Sequence, residues 1–177
     1  IIQLGNSYSV AINEIKKMGF TSATVQLTES IISGVIKSID VSPELSNSLR
    51  KILNAKSGYL YQHCHLTSIV GTEILKQLDM ENNRNIEVLA YASFFKDIGL
   101  TDEPDLAKIT SQKELDEANL SGDQWGLVMN HAAEAAELIR KHPEAPLDVD
   151  SIVLTHHGSS DGKGFFSEKK DDLGEMS

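Results

Sequence analysis

The chain has 177 residues, a length that suits one domain with an extension and is sufficient to bury a real core. Sixteen basic against twenty-six acidic residues give a formal net charge of −10 at pH 7, which argues against binding to nucleic-acid polymers, because phosphates need Lys and Arg to displace their counterions. A hydrophobic content of 40% excludes simple disorder, and no apolar run approaches the roughly 20 residues that span a bilayer.

The single Cys64 forbids an internal disulfide and fits a reducing compartment, so a cytoplasmic location is expected. Residues 1–20 lack the basic start and continuous apolar stretch of a signal peptide, and a chain that begins at Ile1 reads as a piece of something longer. Charge is unevenly spread. Residues 1–56 carry Lys16, Lys17, Lys37, Arg50, Lys51 and Lys56 against Glu14, Glu29, Asp40 and Glu44, whereas residues 57–177 hold the other charges and all six histidines. A boundary is therefore expected near Lys56-Ser57-Gly58, with an N-terminal helical extension at 1–56 and a histidine-bearing domain at 57–177.

The periodicity is helical almost throughout. Val25, Thr28, Ile31 or Ile32, Val35 and Ile39 fall on one helical face. Ser42-Pro43-Glu44 has the chemistry of a helix start, followed by a stripe of Leu45, Leu49 and Ile52 or Leu53. In the next helix His65, Ile69 and Thr72 share a face that Leu75 and Leu78 extend; His63 points elsewhere and reads as structural or surface. Ile86 to Phe95 is a short apolar helix. Ser121-Gly122-Asp123 opens another, with Leu127, His131, Ala135 and Leu138 on one side, and Trp125 reads as a packing anchor. His142, before Pro143, reads as a helix-end residue. Asp148 is placed to cap a last helix through Ile152, Val153 and Leu154. No segment alternates with period two, so the fold class is all-α, a bundle of about seven helices.

Imidazoles and carboxylates on rigid helices are the side chains that bind a borderline divalent cation, and His65, Asp97, His131, His156 and His157 are the candidates. Each lies in or at the end of an otherwise apolar helix. A lone inward histidine is commonly just a core residue; the adjacent His156-His157 pair at a helix end is harder to explain that way.

Their order has a counterpart. Tyr61-Gln62-His63-Cys64-His65 begins one helix, and Phe94-Phe95-Lys96-Asp97-Ile98-Gly99-Leu100 follows, with Pro104 downstream. Then come His131, the His156-His157 pair, and Asp161-Gly162-Lys163-Gly164-Phe165-Phe166. From about residue 59 to 166 this order resembles the HD-GYP branch of the HD phosphohydrolase superfamily. The resemblance implies a helical domain that carries iron or manganese and opens cyclic di-GMP by attack of a metal-bound hydroxide. It implies His65, Asp97, His131, His156 and His157 as metal ligands, Asp97 and Lys96 at the reacting centre, and Asp161, Lys163 and Gly164 beside the substrate. It also implies a cyclic dinucleotide as partner, and an upstream sensor domain or a homodimer contact for the N-terminal extension.

The departures from the family pattern bear on activity. Lys96 stands where the family has a metal-binding His, and an ammonium has no lone pair to offer a cation, though its charge could stand in for a missing metal. Leu100 replaces a Lys, Gly158 replaces a Glu, and Phe165-Phe166 replaces Tyr-Pro. Tyr61 stands where members with three metals have a Glu. Asp171 and Asp172 lie in a charged run that reads as solvated loop rather than as the family's last Asp ligand. One or two ions are expected, in either a weakened enzyme or a module that binds a cyclic dinucleotide or a signalling partner without turnover.

Overall fold

The computed structural model describes residues 2–40, 45–54 and 58–165, and among these it contains eight α-helices and no strand. The helices are α1 (Ile2–Met18), α2 (Ser22–Asp40), α3 (Leu45–Leu53), α4 (Tyr59–Gln77), α5 (Asn83–Phe95), α6 (Gln112–Glu117), α7 (Gly122–Ile139) and α8 (Val149–Leu154). Two single 3₁₀ turns, Ile98–Leu100 and Leu106–Lys108, lie between α5 and α6. The all-α bundle is the architecture expected from the periodicity. The expected cap at Ser42-Pro43-Glu44, the chain at Lys56-Ser57, Phe166 and the Asp171-Asp172 run lie outside the described residues.

Local chemistry sets the helix ends. Gly19 adopts φ +69°, a left-handed conformation that favours glycine and stops α1. Thr21 and Thr24 then cap α2 reciprocally, each side-chain oxygen accepting from the other's backbone N–H. Ser121 and Gln124 form a complete capping box at the start of α7. Asn82 caps α5 by accepting from the N–H of Asn85 at 2.9 Å. Asp148 departs from expectation. It holds the position before α8, but at φ +74° and without a side-chain cap; its carboxylate lies 3.6 Å from the Arg84 guanidinium instead.

The centre of the bundle is α5. Six consecutive residues, Ala90 to Phe95, are buried, so the C-terminal half of this helix is covered on every side. Phe94 stacks edge-on to Tyr8 of α1, with ring centroids 4.9 Å apart, and the Tyr8 hydroxyl donates to the Phe94 carbonyl. Tyr8, Ala11, Ile12 and Ile15 of α1 and Ile31 and Ile32 of α2 share one hydrophobic cluster with Phe94, Phe95 and Ile139. The step in charge at residue 56 therefore has no matching break in the core. A further tie is polar: the Tyr91 hydroxyl donates to Glu29 of α2, and the Nε2 of His142 lies 3.7 Å from the same carboxylate. His142 is accordingly buried beneath Phe20, Tyr91 and Phe95 rather than sitting at an open helix end. Trp125, expected to anchor packing, is 45% exposed, and Leu53 and Leu78 at the ends of their stripes are exposed as well.

Candidate metal centre

The last buried turn of α5 delivers Lys96 and Asp97 to one end of the bundle, where the chain tightens into the 3₁₀ turn at Ile98–Leu100. Helix α7 presents His131 from its buried face, and the short α8 ends at Thr155, so His156 and His157 emerge together opposite it. The Nε2 atoms of His131 and His156 are 3.3 Å apart, and those of His131 and His157 are 3.1 Å apart. Asp97 Oδ1 lies 3.9 Å from the Nε2 of both His131 and His156. An ion about 2.1 Å from each of two nitrogens separates them by roughly 3.0–3.4 Å, so this spacing suits one shared cation.

The tautomers support the same conclusion. His131 Nδ1 lies 2.6 Å from the Val128 carbonyl, and His156 Nδ1 lies 2.7 Å from that of Val153. A carbonyl only accepts, so both Nδ1 atoms carry the proton and both Nε2 atoms present bare lone pairs to each other. Two lone pairs facing at 3.3 Å repel unless a cation lies between them, and backbone carbonyls are the partners that commonly orient metal-binding imidazoles. Burial keeps the three rings neutral: His131 is held below its ordinary value, His156 is lowered to about 4 and His157 to about 3. Burial pushes the Asp97 carboxyl up, but the charge and hydrogen bond of Lys96, with His156 and His63 adding to them, hold it below the usual carboxylate range. The three neutral imidazoles thus fit a divalent cation, with the ionised Asp97 carboxylate beside two of them.

His65 is not among them. Its Nε2 is 2.6 Å from the Ser38 hydroxyl, whose own proton goes to the Val35 carbonyl, so His65 donates from Nε2 into α2. Its Nδ1 is buried without a partner, and burial lowers this histidine to about 4. The expected face of α4 is real, with His65, Ile69 and Thr72 all buried, but Ile69 packs with Ile39 of α2 and Ile52 of α3. Two residues along, about 200° around a helix, His63 faces Asp97, with Nε2 3.6 Å from Oδ2. Tyr59, one turn earlier, stacks flat on the His63 ring with 5.7 Å between centroids. That i, i+4 aromatic pair is the signal in the sequence that could have singled out His63. Lys96 places its ammonium on Asp97 Oδ2, the oxygen that His63 also faces.

The departures from the family motif take definite form. Leu100 is 2% exposed and belongs to the hydrophobic core, so that position offers a substrate nothing. Phe165 packs edge-on against His157, with centroids 4.5 Å apart. The loop between them is docked by its glycines. Gly162, at φ +71°, has no room for a Cβ, which would come within 2.5 Å of the Leu154 side chain and 3.0 Å of the Ala133 nitrogen; the Gly164 N–H donates to the Met129 carbonyl. Asp161 accepts from Ser159 and from the Lys163 N–H, inside its own loop, while the Lys163 side chain is exposed. Cys64 is buried, and burial pushes its thiol up to about 12, as an inert core cysteine requires.

The bundle gathers three histidines at one end, a candidate cation site, and sequence comparison gives the class a name. The family model described as HD domain matches residues 47–173, most of the chain, and the chain belongs to that family. HD domains are in general metal-dependent phosphohydrolases, and divalent metal binding is their common property. No curated protein and no solved structure matches the chain significantly. No helix among the described residues is long and apolar enough to cross a membrane.

Proposed function

We propose that this HD domain is a phosphodiesterase of the HD-GYP type that acts on cyclic di-GMP, with Asp97, His131, His156 and His157 holding an iron or manganese ion. The observation that carries this reading is the clustering of the Nε2 atoms of His131, His156 and His157, with Asp97 Oδ1 3.9 Å from two of them. A divalent cation bound there supplies Lewis acidity toward a phosphodiester oxygen and lowers the pKa of a water molecule. The protein's share is orientation. The carbonyls of Val128 and Val153 fix two imidazoles in the ligating tautomer, and Lys96 occupies Asp97 Oδ2 while Oδ1 faces the imidazoles of His131 and His156. The Phe165 contact sets the 158–165 loop beside His157, and the exposed Lys163 ammonium on that loop is the charge we assign to the phosphates. The order of motifs through Asp161-Gly162-Lys163-Gly164 supports a cyclic dinucleotide over a mononucleotide. We assign residues 1–56, whose helices α1 and α2 pack into the same core, as the side of the domain that joins an upstream sensor or a second copy.

A second reading is favoured by Lys96, Leu100 and Phe165 together: a module that binds the cyclic dinucleotide without opening it. Incubation of cyclic di-GMP with the Mn²⁺- or Fe²⁺-loaded chain under reducing conditions, followed by chromatography of the products, separates the two. The enzyme reading predicts linear dinucleotide or GMP, lost in His156→Ala and Asp97→Ala. Calorimetric binding of the nucleotide with no turnover would replace it with the module.

A further inference from the structure

The Asp97 carboxylate has two occupied sides. Oδ1 faces the imidazoles of His131 and His156, while Oδ2 carries the Lys96 ammonium and faces His63 Nε2 at 3.6 Å. The Lys96 side chain is only 13% exposed, so its charge is held inside the site rather than in solvent. A group so placed does what a metal ion on Oδ2 would do: it sets a positive charge against the carboxylate oxygen that His63 also faces.

We infer that Lys96 is a built-in substitute for a second cation, which limits the centre to one divalent ion and leaves His63 as a ligand without a metal. This rests on the reading of His131, His156, His157 and Asp97 as a cation site. His63 is positioned for the role: it is half-buried, stacked on Tyr59, and its Nε2 faces Asp97 Oδ2 at 3.6 Å. A cation on Oδ2 would have to displace the ammonium, because two positive centres cannot share that oxygen at bonding distance. Replacing Lys96 by an imidazole removes the charge and sets a third donor beside His63 Nε2 and Asp97 Oδ2.

The test is the manganese content of the full 177-residue chain after Mn²⁺ loading and gel filtration, with electron paramagnetic resonance as the second readout. The wild type is expected to carry one ion, with the spectrum of an isolated centre. Lys96→His is expected to carry two, with exchange coupling between them, and Lys96→His combined with His63→Ala to return to one. One ion in both wild type and Lys96→His would overturn this inference and leave the cation site standing; two ions in the wild type would also overturn it. No ion in the wild type would remove the cation site and this inference with it. Should Lys96→His not fold, Lys96→Met gives an independent result. It keeps the chain length without the charge, and is expected to hold one ion about tenfold more tightly, since a like charge beside the site is gone. Unchanged or weaker affinity in Lys96→Met would show that the ammonium does not act as a cation.

Discussion

His131→Ala is expected to weaken Mn²⁺ binding by at least about 100-fold, as measured by calorimetry, whereas His65→Ala should leave the affinity within about threefold. Even groups that merely support a ligand typically contribute 10- to 100-fold to metal affinity, so losing one of four ligands sets a lower bound. His131 is 3% exposed, and its Nε2 lies 3.1 Å and 3.3 Å from the other two imidazoles. His65 is buried equally well, but its Nε2 proton goes to Ser38. The expected cost of His65→Ala is therefore in stability, because it leaves a cavity where α4 meets α2. Equal losses of metal from the two variants would refute the separation of roles. Burial and residue type cannot make this distinction; it rests on the partner of each nitrogen.

The metal-free protein should lose stability steeply between pH 6.5 and 4.5. All six histidines are held below their ordinary value, in each case with burial as the largest cause. In the unfolded chain they take up protons near pH 6.5, while folded His65 and His156 resist until about 4 and His157 until about 3. Across that window the unfolded state binds more protons, so the free energy of unfolding falls as pH falls. At about 1.4 kcal/mol per pKa unit, the fully buried His65 alone costs roughly 3 kcal/mol by pH 4. Asp97, Asp150 and Asp161 have depressed carboxyl values, so their contribution is lost only at lower pH, and the window isolates the histidines. Urea midpoints measured across this range should drop with acid. Added Mn²⁺ should raise them near neutral pH, by binding the folded state alone. Midpoints that stay level from pH 7 to 4.5 would contradict the burial of neutral imidazoles.

The helices were legible in the sequence because their signals are local. A 3.6-residue apolar period marks α2, α4 and α7, and the capping chemistry of Ser121 appears in the coordinates as a full box. The six-residue α6 was missed. It is short and mostly polar, buries Leu115 alone, and is announced only by Ser111 accepting from the Glu114 N–H. At the candidate site, His131, His156 and His157 were legible as neighbours, since each ends or lines an apolar helix, and the structure brings them together with Asp97 3.9 Å from two of them.

The choice between His63 and His65 was not legible, for a physical reason. Setting residues 1–56 apart as an extension removed from view the surface of α2 that His65 faces. With Ser38 and Ile39 packed against α4, the His65–Ile69 face has a partner other than the metal centre, and only the opposite side of α4 remains for Asp97. The role of Lys96 was half legible. Its inability to ligate follows from its chemistry, and its contact with Oδ2 rather than with solvent is visible only in three dimensions.

A cation held by His131, His156 and His157, with Asp97 beside it, is the central feature of this domain's proposed chemistry. Crystals of the chain grown with Mn²⁺ and measured on both sides of the manganese absorption edge locate that ion directly. The account predicts one anomalous peak within bonding distance, about 2.1 Å, of the Nε2 atoms of His131, His156 and His157, and bound to Asp97 Oδ1 after a small closure. No peak there, or a peak held by His65, would contradict it.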